Sequence, residues 1–250
     1  MPDSPARYFG LAGAINFRDL GGYRARDGRT VRWRQIFRSN HLGHLTAADI
    51  GVLRPLGLKS AFDFRGSEER AAAICGLDEI AVHSLPIEPT VVAALRARLA
   101  AGISLASAEA VEIMRDSYRH YVEHNTPRFR ALFAHLLEDR APLVIHCTAG
   151  KDRTGFASAL LLSALGIDRA VIVENYLESN RHNATANAQV LAQITKAQLP
   201  QEVIAPLLAV DAAYIEAALQ VVEDEYAGME NYLRNVLDID VERIRGNYLE

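Results

Sequence analysis

Residues 142–166 read PLVIHCTAGKDRTGFASALLLSALG, and three kinds of local structure follow each other within that stretch. Pro142 to Cys147 is short, apolar and bounded by turn signals, which predicts a buried strand. Arg153 to Leu165 predicts a helix stopped by Gly166. Between them lies a small-residue loop, Thr148-Ala149-Gly150-Lys151-Asp152. A strand that turns through small residues into a helix is the geometry of an anion site. Backbone N–H groups point inward, and the helix N-terminus adds positive potential. Gly150 permits close backbone approach. A nucleotide-binding P-loop needs G-x-x-x-x-G-K-[ST], which this stretch does not supply.

The chemistry comes from Cys147 and Arg153. A thiol beneath a ring of amides, near Arg153 and Lys151, is expected to act as a thiolate. A thiolate below a bound phosphate is an in-line nucleophile. Arg153 can grip two phosphate oxygens with its planar fork, which a lysine could not. Thr154 can offer its hydroxyl to the sulfur when a phosphoenzyme hydrolyses. Arg153 and the loop amides supply the charge stabilisation, so neither a metal nor a cofactor is expected. An isolated C-x5-R is often a buried cysteine and a salt-bridged arginine; the full strand–HC-x2-G-x-x-R-T-G–helix pattern argues against that plainer reading.

The rest of the chain fits around this unit. In YRARDGRTVRWR (23–34), a three-residue loop Arg26-Asp27-Gly28 pairs Tyr23 with Val31 and keeps the apolar face together, whereas a two-residue turn would mix the faces. Arg24 and Arg32 then share the opposite, solvated face. Thr46 with Asp49 three residues on opens a helix that ends near Gly57. LKSAFDFR (58–65) and AVHSLPI (81–87) predict strands. Residues 90–101 and 106–124 predict helices, with Pro127 in the first turn of the next. Residues 168–250 are helical in pattern, with breaks near Pro200, Pro206 and Gly228. Strands alternating with helices, followed by a helical half, predict one α/β domain over 1–250. Its central sheet is flanked by helices, with an N-terminal β-hairpin and a largely helical C-terminal half. The alanine-rich segments 88–108 and 181–210 are long for connections and are candidates to lie over the pocket as lids.

With 250 residues, half of them apolar and 23% charged, the chain is an ordinary globular one. A net charge of −4 argues against a nucleic-acid binder. Two cysteines cannot make a disulfide framework, so a reducing compartment is expected. The N-terminus lacks a charged region followed by an apolar core, and FASALLLSALGI is too short to span a bilayer. The expected location is therefore cytoplasmic, with no integral membrane segment.

HCTAGKDRTG (146–155) resembles the signature loop of the cysteine-dependent protein tyrosine and dual-specificity phosphatases. Together with NFRDLGGY (16–23), it resembles more narrowly a bacterial tyrosine/serine phosphatase family whose members also include enzymes acting on phosphoinositides. FRS (37–39), DFR (63–65) and YLESN (176–180) fit the same pattern. The resemblance implies the phosphatase α/β fold and a phosphocysteine intermediate. It carries over Cys147 as nucleophile and Arg153 as phosphate binder, with Thr148, Ala149, Gly150, Lys151 and Thr154 around the substrate. The implied partners are a phosphorylated protein or, as the alternative, a phosphoinositide.

The leaving oxygen needs a proton, and a positioned acid is worth roughly 10²–10⁴ in rate. No W-P-D loop is present. Asp152 lies in the loop itself, where the resembled family carries aspartate. Asp63 ends the strand LKSAFDFR and emerges at the same carboxyl edge as Cys147 if the two strands are parallel. Asp152 is the favoured acid, with Asp63 orienting Arg153; a purely structural pairing of Asp63 with Arg65 or Arg153 is the plainer reading. Lys151 either favours polyanionic substrates or faces solvent beside Asp152. Arg18 and Asp19 are read as braces outside the site, and Asn180 as a site-facing candidate. Cys75 is read as a small core residue. His120 and His124, without an H-E-x-x-H, make poor metal ligands. LDIDVE (237–242) imitates the haloacid-dehalogenase motif, but too little chain follows it, and Asp240 is read as a helix cap. Two rival functions remain beside these: a phosphate-reading module without turnover, which the intact Cys147, Arg153 and Thr154 oppose, and a sulfurtransferase, which does not need R-T-G at a helix start.

Overall fold

Five strands, β1 (Arg18–Asp19), β2 (Ile36–Ser39), β3 (Ser60–Asp63), β4 (Ala81–Ser84) and β5 (Leu143–His146), form one sheet in the order β1-β2-β5-β3-β4. β1 runs antiparallel to β2, and every other pairing is parallel. The computed structural model describes residues 5–91, 98, 105–138, 140–196 and 201–250. Parts of the two segments read as lids, 92–97, 99–104 and 197–200, lie outside the described residues, as does most of the helix expected over 90–101. The helices are α1 (Ala47–Leu53), α2 (Ser67–Ala72), α3 (Ser107–His124), α4 (Thr126–Leu137), α5 (Arg153–Ala164), α6 (Arg169–Lys196), α7 (Gln201–Leu208), α8 (Ala212–Tyr226) and α9 (Val241–Tyr248). No helix of the described residues is long and apolar enough to cross a membrane.

β5 is the central strand, with β2 on one side and β3 on the other. Its residues alternate between two cores. Leu143 and Ile145 join Ile36 and Phe62 on the face covered by α3, α4, α5 and the C-terminal helices. Val144 joins Phe37, Ala61, Phe17 and Leu53 on the other. A strand covered on both faces has no polar side, which is why the sequence reads there as a continuous apolar run. α5 follows the same logic: every residue except Ser163 is buried, so the helix is apolar all round.

The parallel register of β3 on β5 sets Asp63 beside His146, so Asp63 and Cys147 leave the sheet at the same edge. The expected N-terminal hairpin has the predicted register. Val31 N donates to Tyr23 O, Arg24 bridges Thr30, and Gly28 is left-handed at φ 92. Its arms are shorter than regular strands, because the returning arm leaves its partner to pair with the C-terminus. Thr30 and Glu250 exchange backbone hydrogen bonds, and Arg34 breaks the extension at φ 63. The capping box at Thr46 and Asp49 is present, and Pro127 lies in the first turn of α4. Pro206 lies inside α7 rather than at a break. Asp240 caps α9, accepting from Arg243 N.

Candidate active site

Cys147 leaves the end of β5, 1% exposed, and the loop 148–152 turns the chain into α5. The loop is held from behind through its carbonyls. Asn16 Nδ2 donates to Ala149 O and Gly150 O, both at 3.0 Å. Arg38 Nη2 donates to Gly150 O at 2.8 Å and Asn183 Nδ2 to Ala149 O at 3.2 Å. His41 N donates to Thr148 O at 3.1 Å. In a trans peptide the C=O and the following N–H point oppositely. Pinning the carbonyls of 148–150 outward therefore turns the amides of 149–151 inward, and none of them meets an acceptor among the described residues. The loop thus presents a run of unpaired donors directly after Cys147. Gly150, at φ 67, makes the turn possible: a Cβ there would lie 2.4 Å from the backbone of Ser39 and Asn40.

The braces come from the motifs scattered along the chain. Arg18 and Arg38 are both fully buried. Arg18 donates to Asn16, to Asn175 O and to Ser179 Oγ. Arg38 donates to Asn175 Oδ1 at 2.7 Å and to Ser179 Oγ at 3.3 Å. NFRD, FRS and YLESN are thus three parts of one buried network behind the loop. Burial brings the Arg38 pKa down to about 10, against the favourable charges of Tyr23 and Cys147. Asp19 accepts from Gly21 N and Arg34 N and shapes the turn rather than the loop. Asn180 does not face the loop; its amide exchanges two 2.8 Å bonds with the Val210 backbone.

Arg153 is buried at the start of α5, where its fork meets Glu69 of α2. Nη1 donates to Glu69 Oε2 at 2.6 Å and Nη2 to Oε1 at 2.8 Å. Nη1 also donates to Ile87 O at 3.0 Å. Burial alone would lower the Arg153 pKa, but the Glu69 bonds and the charges of Cys147 and Glu69 outweigh it and raise it. Burial likewise works to raise the Glu69 pKa, and the Arg153 bonds and charge bring it down to about 2. Thr148 Oγ1 donates to the same carboxylate. Thr154 is fully buried, and its Oγ1 has no hydrogen-bond partner among the described residues.

The two expected acids are placed very differently. Asp63 is taken up by Arg65, which donates to it through Nε, Nη2 and its own backbone N at 2.8–3.2 Å. Burial opposes its ionisation, but the Arg65 bonds and the His146 charge hold its pKa low. The expectation that Asp63 orients Arg153 is corrected: Glu69 makes that contact, because α2 turns back over the sheet edge just after Arg65. Asp152 Oδ1 accepts a 2.8 Å bond from Tyr118 OH of α3, and Tyr118 OH lies 2.6 Å from Tyr176 OH. Burial and the Asp152 charge push the Tyr118 pKa well up, so it remains a hydroxyl donor. Lys151 neither faces solvent nor lies free for substrate. Its Nζ donates to Leu207 O at 2.8 Å and Ala209 O at 3.1 Å, and lies 3.3 Å from Asp152 Oδ2.

Glu69, Tyr118 and Asn183 escaped the sequence reading. Glu69 carried one usable signal, an acid in the first helical turn directly after a strand end. Tyr118 and Asn183 carried none beyond helical periodicity. His120 and His124 gain Glu123 as a neighbour, in a largely exposed trio on α3 that shares no residue with the loop.

A family model described as the tyrosine phosphatase family matches residues 9–250. A Cupriavidus necator protein named as a tyrosine-protein phosphatase is 36% identical over 239 residues, covering 94% of this chain and 85% of that one. The triple specificity protein phosphatase PtpB of Mycobacterium tuberculosis is 34% identical over an alignment of 272 residues, covering 94% of this chain and 97% of its own. A tyrosine-protein phosphatase of Nostoc commune is 28% identical over 217 residues, covering 80% of this chain and 68% of its own.

Proposed function

The chain belongs to the tyrosine phosphatase family, and from that premise we propose that Cys147 carries its turnover through a covalent phosphocysteine. The Cys147 sulfur attacks phosphorus in line, forming S–P as the bond to the tyrosyl oxygen breaks. The inward amides of the loop and Arg153 hold the three equatorial oxygens. Asp152 gives its proton to the leaving phenolate oxygen. A water then attacks phosphorus, Asp152 takes back a proton, and S–P breaks. Thr154 is available to donate to the departing thiolate. Asp63 enters this scheme only as the partner of Arg65.

One observation carries the reading: the carbonyls of Ala149 and Gly150 are drawn outward by Asn16, Arg38 and Asn183, which leaves the amides converging beside Cys147. The substrate is read as phosphotyrosine in protein, with phosphoserine and phosphothreonine as further esters of the same class. Phosphoinositide hydrolysis gains no support from Lys151, whose ammonium is spent on two carbonyls. Residues 1–250 are read as one domain, with 201–210 lying against the loop through Lys151. A mechanism that needs a reduced thiol suits a cytoplasmic setting, and Cys147 and Cys75 are both free. The test compares metal-free, vanadate-sensitive turnover of a phosphotyrosine peptide and a phosphoinositide by wild type and Cys147→Ser. Turnover by wild type alone, larger on the peptide, is expected. Chelator-sensitive activity that survives Cys147→Ser overturns the mechanism.

A further inference from the structure

The end of α3 reads RHYVEHN (119–125), and it brings together three donor side chains that the phosphatase chemistry does not use. His120 and His124 lie one turn apart on the same face of the helix, and Glu123, three residues after His120, shares that face. The two imidazole centroids are 4.2 Å apart. His124 Nε2 lies 3.5 Å from Glu123 Oε2. One ligand atom from each of the three residues falls within 4.8 Å of the other two. Glu123 thus adds the third donor that the two histidines lack by themselves. Among the described residues, no hydrogen bond engages either imidazole, and no lysine or arginine pairs with Glu123. The neighbouring Arg119 turns back to Glu112 and Asp116 instead.

We propose that His120, Glu123 and His124 form a surface site for a borderline divalent transition-metal ion, Zn²⁺ first among them, with water at the fourth position. Two imidazoles and a carboxylate are a zinc donor set. Zinc bonds of about 2.0–2.2 Å at tetrahedral angles place ligand atoms about 3.4 Å apart. The exposed side chains of Glu123 and His124 reach that spacing by rotation about their own bonds. His120 also edges a small cavity lined by Thr90, Asp116 and Ser117, which leaves room for water at the open position. Electrostatics point the same way. Glu123 lies in the last turn of α3, at the negative end of the helix macrodipole, where an acid is unfavourable and a cation favourable. A dication there reverses the sign of that interaction. The site is independent of the roles of Cys147 and Arg153, and its ion takes no part in the reaction. It staples the C-terminal turn of the helix whose Tyr118 holds Asp152.

The experiment titrates Zn²⁺ into the Cys147→Ser protein by calorimetry, because a free thiolate at Cys147 would itself take zinc. Binding in the micromolar range is expected. His120→Ala and His124→Ala, each added to that background, should weaken it by at least about tenfold. Alanine is the strongest helix former, so both variants keep α3. Glu123→Gln keeps the shape of the side chain and removes its charge, and it should weaken binding severalfold. An ion that binds only the folded chain also raises the thermal unfolding midpoint. Zn²⁺ should therefore raise the midpoint of Cys147→Ser and leave that of Cys147→Ser with His124→Ala in place. Three results overturn the proposal: no binding up to millimolar zinc, an affinity unchanged by His120→Ala or His124→Ala, or an affinity unchanged by Glu123→Gln, which leaves only a histidine pair. None of these outcomes bears on phosphate hydrolysis, so the proposal fails or stands separately from the mechanism.

Discussion

Replacing Gly150 by alanine attacks the loop at the one place where backbone meets backbone. The new Cβ would stand 2.4 Å from Asn40 N and from Ser39 C and O. Carbon contacts are comfortable at about 3.5–4.0 Å, so the loop must retreat by roughly 1 Å. None of the three opposing atoms belongs to a flexible side chain. The left-handed φ of 67 adds about 1–2 kcal/mol for a residue with a Cβ. Retreat also stretches the 3.0 Å bond from Asn16 and the 2.8 Å bond from Arg38 to Gly150 O, and Arg38 is fully buried. Overpacking of this kind costs about 1–3 kcal/mol. The expected destabilisation is therefore about 2–5 kcal/mol, measured by urea unfolding at neutral pH. Displacing the amides by 1 Å should also cost about 10²-fold in kcat/KM, measured on the fraction that remains folded. A Gly150→Ala protein within 1 kcal/mol of wild type and within threefold of its activity would refute the claim that carbonyl pinning shapes the loop.

Three further outcomes follow from the geometry. Asp63→Ala leaves the buried Arg65 without its carboxylate and should cost about 3–5 kcal/mol in chemical denaturation. Tyr118→Phe removes the hydroxyl that holds Asp152. It should lower kcat about fivefold, the equivalent of a hydrogen bond worth about 1 kcal/mol, and more for phosphotyrosine than for the better leaving group of p-nitrophenyl phosphate. An equal loss on both esters would dissociate Tyr118 from proton donation. Burial holds the His146 pKa down to about 4 in the fold, against an unfolded value of 6.5. Its folded-state pKa is depressed, so the unfolded chain binds the proton first, and stability falls as pH drops from 6.5 to about 4. The full effect for this one group is about 3 kcal/mol. Urea titrations across that window should show about one proton fewer taken up on unfolding in His146→Asn.

The loop and its flanks were legible because their requirements are local. A buried central strand must be apolar on both faces, a left-handed turn against backbone requires glycine, and a helix buried all round reads as FASALLLSAL. The hairpin register followed for the same kind of reason, since period-two alternation admits only one loop length that keeps Tyr23 and Val31 together. The capping box at Thr46 and Asp49 is also a short-range pattern. Expectations failed where several partners compete for one side chain and the fold decides which of them reaches it. Asp63 seemed free to reach Arg153, but Arg65 two residues on takes it first. Lys151 reads as a free cation until 207–209 returns over it.

The sequence by itself determined the strand–loop–helix unit, the cysteine and arginine at five-residue spacing within it, and the alternation that makes an α/β sheet. Tertiary structure alone decided which groups serve that unit: Asn16 and Arg38 behind the carbonyls, Glu69 on the fork of Arg153, and Tyr118 on Asp152. The physical reason is range. Backbone conformation and burial periodicity are set by neighbours within a few residues, whereas a hydrogen bond between residues 84 or 134 positions apart exists only once the sheet edge and the covering helices bring them within 3 Å of each other.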